Sequence, residues 1–150
     1  MRDSILVRWS LVLQTVNAAV LLFSAAMLLL PAQTQMLFNI VAFGGVAYPA
    51  DIPASAWPYI IFVYRVLGAV MIGWMLAIMA IVQRPFRRGE PWAWWAVTIS
   101  VTGWFVIDTS ASLLSGFPGN ALLNLCFIVA YAMPLFATRF LARVSYITPA

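Results

Sequence analysis

Two charged residues lie inside long apolar stretches of this sequence, Arg65 and Asp108. Arg65 follows the start of its stretch at Trp57 by about 12 Å of helix, at 1.5 Å per residue. Asp108 precedes Gly116, where the next stretch ends, by about the same 12 Å. One charge in the middle of a membrane helix costs about 2.5–3.5 kcal/mol, and an opposite charge can offset that cost. We therefore predict an Arg65–Asp108 ion pair facing the interior of a helix bundle.

Small residues accompany the arginine. Ala69, Gly73 and Ala77 follow Arg65 at helical spacing, with Gly68 beside them, and such a stripe lets another helix approach closely. The stretches that carry the two charges are joined by a short link. We expect them to be antiparallel neighbours.

Uncharged polar side chains from the other stretches fall on single helical faces, and several lie near the depth of the two charges. They predict a polar site in one half of the bundle, or a set of contacts that only orders the helices. As a site it would bind a ligand or an ion. The candidate residues are Arg65, Asp108, Ser112, Asn124, Ser24 and Asn17.

Several kinds of chemistry lack their usual residues. There is no histidine, which is the commonest metal ligand and general base, and Cys126 is the one cysteine. Met71, Met75 and Met79 share one helical spacing, which favours core filling over copper binding. We expect Cys126 to be a small core residue. The sequence predicts no metal site and no cofactor, and a single buried carboxylate is a poor basis for catalysis.

Composition indicates the class of protein. The chain has 150 residues, of which 65% are hydrophobic and 8% charged, whereas soluble domains are about 45–50% apolar and about 25% charged. Four stretches have the roughly 20 apolar residues that cross a bilayer. We predict one all-α domain over residues 1–150, an integral membrane four-helix bundle. Its helices cover approximately residues 5–30, 57–83, 92–115 and 120–142. The first is too long for a signal peptide core.

Arginine positions predict the orientation. Seven of the eight basic residues lie at one end of the predicted bundle, and all eight are Arg. The positive-inside rule then places both termini in the cytoplasm. Arg84, Arg87 and Arg88 occupy the short link between the second and third helices, where they would also contact anionic lipid headgroups.

The outer connection between the first two helices is unusually apolar. Its segment 33–44 reads QTQMLFNIVAFG, which is too apolar for a solvated loop and too short to span. We expect it to lie along the outer membrane surface or to dip back against the bundle. It would serve as an interfacial linker or as a lid over an outward-facing cavity.

The sequence contains several short motifs: Arg65-Val-Leu-Gly68-Ala, Gly73-Trp74, Arg88-Gly-Glu90-Pro-Trp92-Ala-Trp94-Trp95, Trp104-Phe-Val-Ile-Asp108 and Asn124. They resemble those of small bacterial four-span membrane proteins grouped as a domain-of-unknown-function family. The resemblance covers about the last two thirds of the chain, and it implies the four-helix architecture without an activity. Small multidrug transporters also have four spans, but their buried acidic residue is a glutamate in the first helix, which is absent here.

These observations favour a non-enzymatic accessory or structural subunit that works with a membrane partner or with further copies of itself. The alternative is a binder or transporter of a small or lipidic molecule that uses the Arg65/Asp108 site. An intramembrane enzyme is the third class. The absence of lysine is typical of a GC-rich bacterial genome, so we expect the inner membrane of a bacterium. Apart from the bilayer, no motif indicates a particular partner. The sequence has no nucleic-acid-binding motif.

Overall fold

A computed structural model describes residues 2–43 and 53–143, and within these ranges the chain is helical with no strand. Prolines open three of the helices, as expected of a residue that has no N–H to leave unpaired in the first turn. The helices are α1 (Arg2–Leu29), α2 (Pro31–Phe43), α3 (Trp57–Ile81), α4 (Pro91–Leu114) and α5 (Pro118–Arg143). A 3-10 turn over Ala54–Ala56 leads into α3, and a π-helical turn over Val82–Phe86 follows it.

Four of these helices are long and apolar enough to cross a membrane. They are α1, α3 with its flanking turns, α4 and α5, so the predicted all-α bundle with four membrane spans is confirmed. Large apolar side chains cover the outward faces, and Leu114, for example, is 90% exposed. Such a surface is stable in lipid, which solvates it better than water does. The orientation of the termini stays a prediction.

The helices pack in an order that their connections do not reveal. The most extensive contacts join α1 to α3 and α4 to α5, and α1 also packs on α5. At the α1–α3 contact, a Cβ added to Gly68 would lie 2.7 Å from the carbonyl oxygen of Ser24 and 2.8 Å from the backbone nitrogen of Leu28. Gly68 therefore permits an approach that any side chain would prevent. The predicted contact between α3 and α4 is present, since Trp74 of α3 lies against Ser100 and Trp104 of α4, but α3 packs chiefly on α1.

The apolar connection after α1 forms a helix of its own. Segment 33–43 lies within α2, which packs across α1, α3 and α5. The Phe38 ring lies 6.1 Å from the ring centroids of both Phe23 and Tyr64. Of the two predicted placements, α2 therefore dips back against the bundle. The rest of the predicted segment, Gly44, is outside the described residues.

Candidate intramembrane polar site

The centre of the polar site is the carboxylate of Asp108 on α4, which faces α5. Asn124 Nδ2 donates a hydrogen bond to Asp108 Oδ2 at 2.7 Å and another to Thr109 Oγ1 at 3.2 Å. Asn120 Nδ2 donates to Ser112 Oγ at 2.7 Å and makes a longer contact of 3.4 Å with Asp108 Oδ2. Five polar side chains from two helices thus form one network at the end of the bundle opposite the Arg-rich end.

The turn between α4 and α5 sets the geometry of this network. Gly116 has a φ of 80°, the left-handed conformation that ends many helices. Phe117 N donates to the Ser112 carbonyl at 2.8 Å and Gly116 N to that of Leu113 at 3.1 Å, which is the Schellman pattern. The reversal is so tight that Asn120 and Asn124, one turn apart on α5, face the last two turns of α4.

Arg65 does not belong to this network, and the predicted Arg65–Asp108 ion pair is not formed. Within the ranges that the structure describes, the salt bridge is between Arg88 and Glu90. The reason is the direction of Arg65. Trp74 faces α4, since its Nε1 donates to Ser100 Oγ at 2.7 Å. Arg65 lies nine residues earlier, about two and a half turns of helix, so it points away from α4.

Arg65 instead lies on the exposed face of α3. Ala69, Gly73 and Ala77 are exposed on the same face, and a Cβ at Gly73 would meet nothing within 4 Å. Across residues 2–43 and 53–143, no hydrogen bond or ion pair involves the guanidinium. The predicted stripe of small residues therefore exists, but it faces outward, and Gly68 beside it makes the contact with α1.

The other two predicted site residues come from α1 and lie elsewhere. Ser24 is fully buried, and its hydroxyl donates to the Val20 carbonyl of its own helix at 2.6 Å. Its carbonyl forms part of the α1–α3 contact at Gly68. Asn17 belongs to a second polar cluster deeper in the bundle. The structure therefore brings together Asp108, Ser112 and Asn124, and separates Arg65, Ser24 and Asn17 from them.

The second cluster joins three helices near the middle of the bundle. Tyr131 Oη of α5 donates to Asn17 Oδ1 at 2.6 Å and lies 3.8 Å from Met75 Sδ of α3. Gln14 Nε2, one turn from Asn17, donates to the Met79 carbonyl at 2.9 Å. Gln14 Oε1 and Asn17 Nδ2 are buried without a partner among the described residues. Each such group costs about 1–3 kcal/mol, so this cluster orders the helices at some expense in stability.

Two members of the first network, Asn120 and Thr109, were not among the predicted site residues. The signal for Asn120 was its spacing of four residues from Asn124, which puts both amides on one face of α5. Thr109 follows Asp108 directly, and no spacing rule pairs adjacent helical residues with one target. Its inclusion depends on how α5 crosses α4.

The structure distinguishes the three arginines of the link between α3 and α4. Arg88 Nη1 lies 3.8 Å from Glu90 Oε1, and Glu90 also accepts a bond of 2.7 Å from Trp92 Nε1. Arg87 borders a groove between α1 and α3, and Arg84 does not. Their predicted contact with lipid headgroups stays a prediction.

Residues suited to metal binding do not gather in the described part of the chain, where no three Cys, Asp or Glu side chains lie together. Cys126 is exposed on the outside of the bundle, so the expectation of a core cysteine was wrong. Met75, in contrast, is fully buried in the core, as predicted.

Comparison of this chain with family models, curated proteins and solved structures finds no match. The resemblance to a family of small four-span proteins therefore stays a prediction.

Proposed function

We propose that this chain is a small, non-enzymatic accessory subunit of a bacterial inner membrane that binds a partner protein within the bilayer. The observation that carries the proposal is the guanidinium of Arg65 on the exposed face of α3, which has no hydrogen-bond or ion-pair partner among the described residues. A cation at such a depth costs about 2.5–3.5 kcal/mol when lipid alone surrounds it. A partner that supplies a carboxylate would remove that cost on binding.

The surroundings of Arg65 suit a helix as the partner. Ala69, Gly73 and Ala77 leave the backbone of α3 accessible along about two turns, and small residues of this kind let two membrane helices pack closely. The partner helix should carry Asp or Glu about 12 Å below the surface at which α3 begins. A second copy of the chain suits this surface less well. Near that depth, Asp108 is the carboxylate within the described residues, and its Oδ2 accepts bonds from α5.

Co-purification tests this proposal. The tagged full chain is extracted in mild detergent as the wild type, as Arg65→Gln and as Gly73→Leu, which fills the open stripe. Arg84→Gln is the matched control, because it removes an arginine at the far end of the span. We expect wild type and Arg84→Gln to retain a stoichiometric membrane protein that both other variants lose. A partner retained equally by Arg65→Gln, or no partner even after cross-linking in membranes, contradicts the proposal.

Binding of a lipidic molecule is the second candidate function, and an apolar pocket beneath α2 supports it. The pocket has a volume of about 240 Å³ and is open to one side. Typical ligand pockets have about 300–1,000 Å³, so this one suits a hydrocarbon chain without its headgroup. This role would make α2 a lid, one of its two predicted roles. The pocket is lined by Ala19, Phe23, Leu37, Phe38, Leu123 and Phe127.

Mass spectrometry of the purified chain separates the two functions. If the pocket holds a molecule, the wild type retains it and Leu123→Trp, which fills the pocket, releases it while keeping any protein partner. A wild-type chain that carries no small molecule argues against the second function and leaves the first one standing.

A further inference from the structure

A groove runs along the outside of the bundle between α1 and α3, towards the Arg-rich end. Its volume is about 720 Å³, and it is open along one side. It shares no residue with the stripe below Arg65, so it is a second surface. Residues that define its walls and its mouth are Leu11, Ala18, Leu76, Ala80, Gln83 and Arg87.

The polar side chains inside the groove bond to the protein's own backbone. Gln14 Nε2 donates to the Met79 carbonyl at 2.9 Å, Thr15 Oγ1 to that of Leu11 at 3.0 Å, and Ser10 Oγ to that of Val7 at 2.8 Å. Their donors are therefore not available to an occupant. What the groove offers along its length is mainly hydrocarbon. At its mouth, Gln83 and Arg87 have no side-chain hydrogen bond or ion pair within the part of the chain that the structure describes.

The length of the groove matches the thickness of the hydrocarbon layer in one lipid leaflet. Leu76 and Arg87 are eleven residues apart, or about 16 Å along a helix. Half of a hydrocarbon core of about 30 Å is about 15 Å. An acyl chain that enters at Arg87 would therefore reach the bilayer centre where the groove ends.

The π-helical turn over Val82–Phe86 shapes the mouth. A π turn adds a residue to the helical turn, and such turns are frequent at functional sites. Here Gln83 and Arg87 both border the groove, while Arg84 and Arg88 do not. Arg88 also has Glu90 as a neighbour at 3.8 Å. Of the three arginines, Arg87 is thus the cation placed over the apolar groove.

We propose that this groove binds one anionic phospholipid of the leaflet at the Arg-rich end, the side predicted to face the cytoplasm. One acyl chain lies between α1 and α3, and the phosphate accepts hydrogen bonds from the Arg87 guanidinium and the Gln83 amide. The site should prefer an anionic headgroup, because the positive charge of Arg87 lies at the depth expected for the lipid phosphate. The proposal is independent of a partner at Arg65.

Native mass spectrometry of the full chain, after exchange into defined lipid, tests the site. The probes are phosphatidylglycerol, which is anionic, and phosphatidylcholine, which is zwitterionic. We expect one phosphatidylglycerol to be retained by the wild type. One arginine near an anionic surface corresponds to about fivefold in affinity, so Arg87→Gln should lower retention about fivefold. Arg84→Gln and Arg88→Gln, which remove equal charge, should change it less than twofold.

A second pair of variants tests the groove itself. Ala80→Trp fills it and should abolish retention, whereas Ala137→Trp, at an exposed position of α5 outside the groove, should leave retention unchanged. Circular dichroism and size-exclusion profiles verify that both variants fold. The proposal is overturned if Ala80→Trp still retains the lipid, if phosphatidylcholine is held equally well, or if the three arginine variants lose retention to the same degree.

Discussion

Asp108 and Asn124 hold α4 against α5, so replacing both side chains should cost less than the sum of the two single replacements. Leucine removes the polar atoms of either residue and keeps the same number of side-chain heavy atoms. Asp108→Leu takes away the 2.7 Å bond to Asn124 and the 3.4 Å contact with Asn120, which keeps its 2.7 Å bond to Ser112. Among the described residues, Asn124→Leu leaves the carboxylate with only the long Asn120 contact.

The magnitude follows from the bond that the two residues share. Hydrogen bonds to charged groups contribute about 1.5–3 kcal/mol in soluble proteins, whereas interhelical bonds in membranes average about 0.6 and reach about 1.7. The 2.7 Å distance and the negative charge place Asn124–Asp108 near the upper membrane value. We expect each single variant to lose about 2 kcal/mol and the double variant to recover about 1–1.5 kcal/mol of the summed loss.

Reversible unfolding of the four variants in mixed micelles measures these free energies. The control is a second cycle between Arg65→Gln and Asp108→Leu, which should be additive within about 0.5 kcal/mol because those residues do not touch. Additive losses for Asp108 and Asn124 would refute the network. A coupling free energy between Arg65 and Asp108 would indicate that the two residues form an ion pair, contrary to the structure.

Three further predictions concern packing and orientation. Gly68→Ala should destabilise the bundle by about 1–3 kcal/mol in the same unfolding assay, because its Cβ would meet two backbone atoms of α1. Gly73→Ala, where the space is open, should be neutral or stabilise by up to about 1 kcal/mol, and an equal loss at both glycines would argue against the close approach. Tyr131→Phe should cost about 1–3 kcal/mol, because it leaves a second polar atom of Asn17 unpaired in the core, and Asn17→Leu combined with it should cost less than the sum. Reporter fusions should place the C-terminus and the link between α3 and α4 in the cytoplasm, and an external C-terminus would reverse the bundle.

Features that depend on distance along a helix could be predicted from the sequence. The four spans follow from the lengths of the apolar stretches, and the depth of Asp108 follows from the rise per residue. The structure brings Asn124 and Ser112 together with Asp108, and a tight reversal leaves few choices for which residues of two successive helices meet. Local rules are sufficient for these features.

Direction around a helix, and the choice of neighbour, were decided only by the tertiary structure. The rise per residue predicts the same depth for Arg65 and Asp108, but the contact of Gly68 with α1 and that of Trp74 with α4 turn Arg65 outward. The short link makes α3 and α4 contact each other, but it does not make them each other's main packing partner, because each helix packs more extensively on another one. Likewise, the groove that singles out Arg87 is formed by two helices more than 60 residues apart, Gln14 bonding to Met79 across it. Packing has to satisfy the faces of all helices together, so the direction of a residue and the neighbour of a helix cannot be deduced from one stretch of sequence.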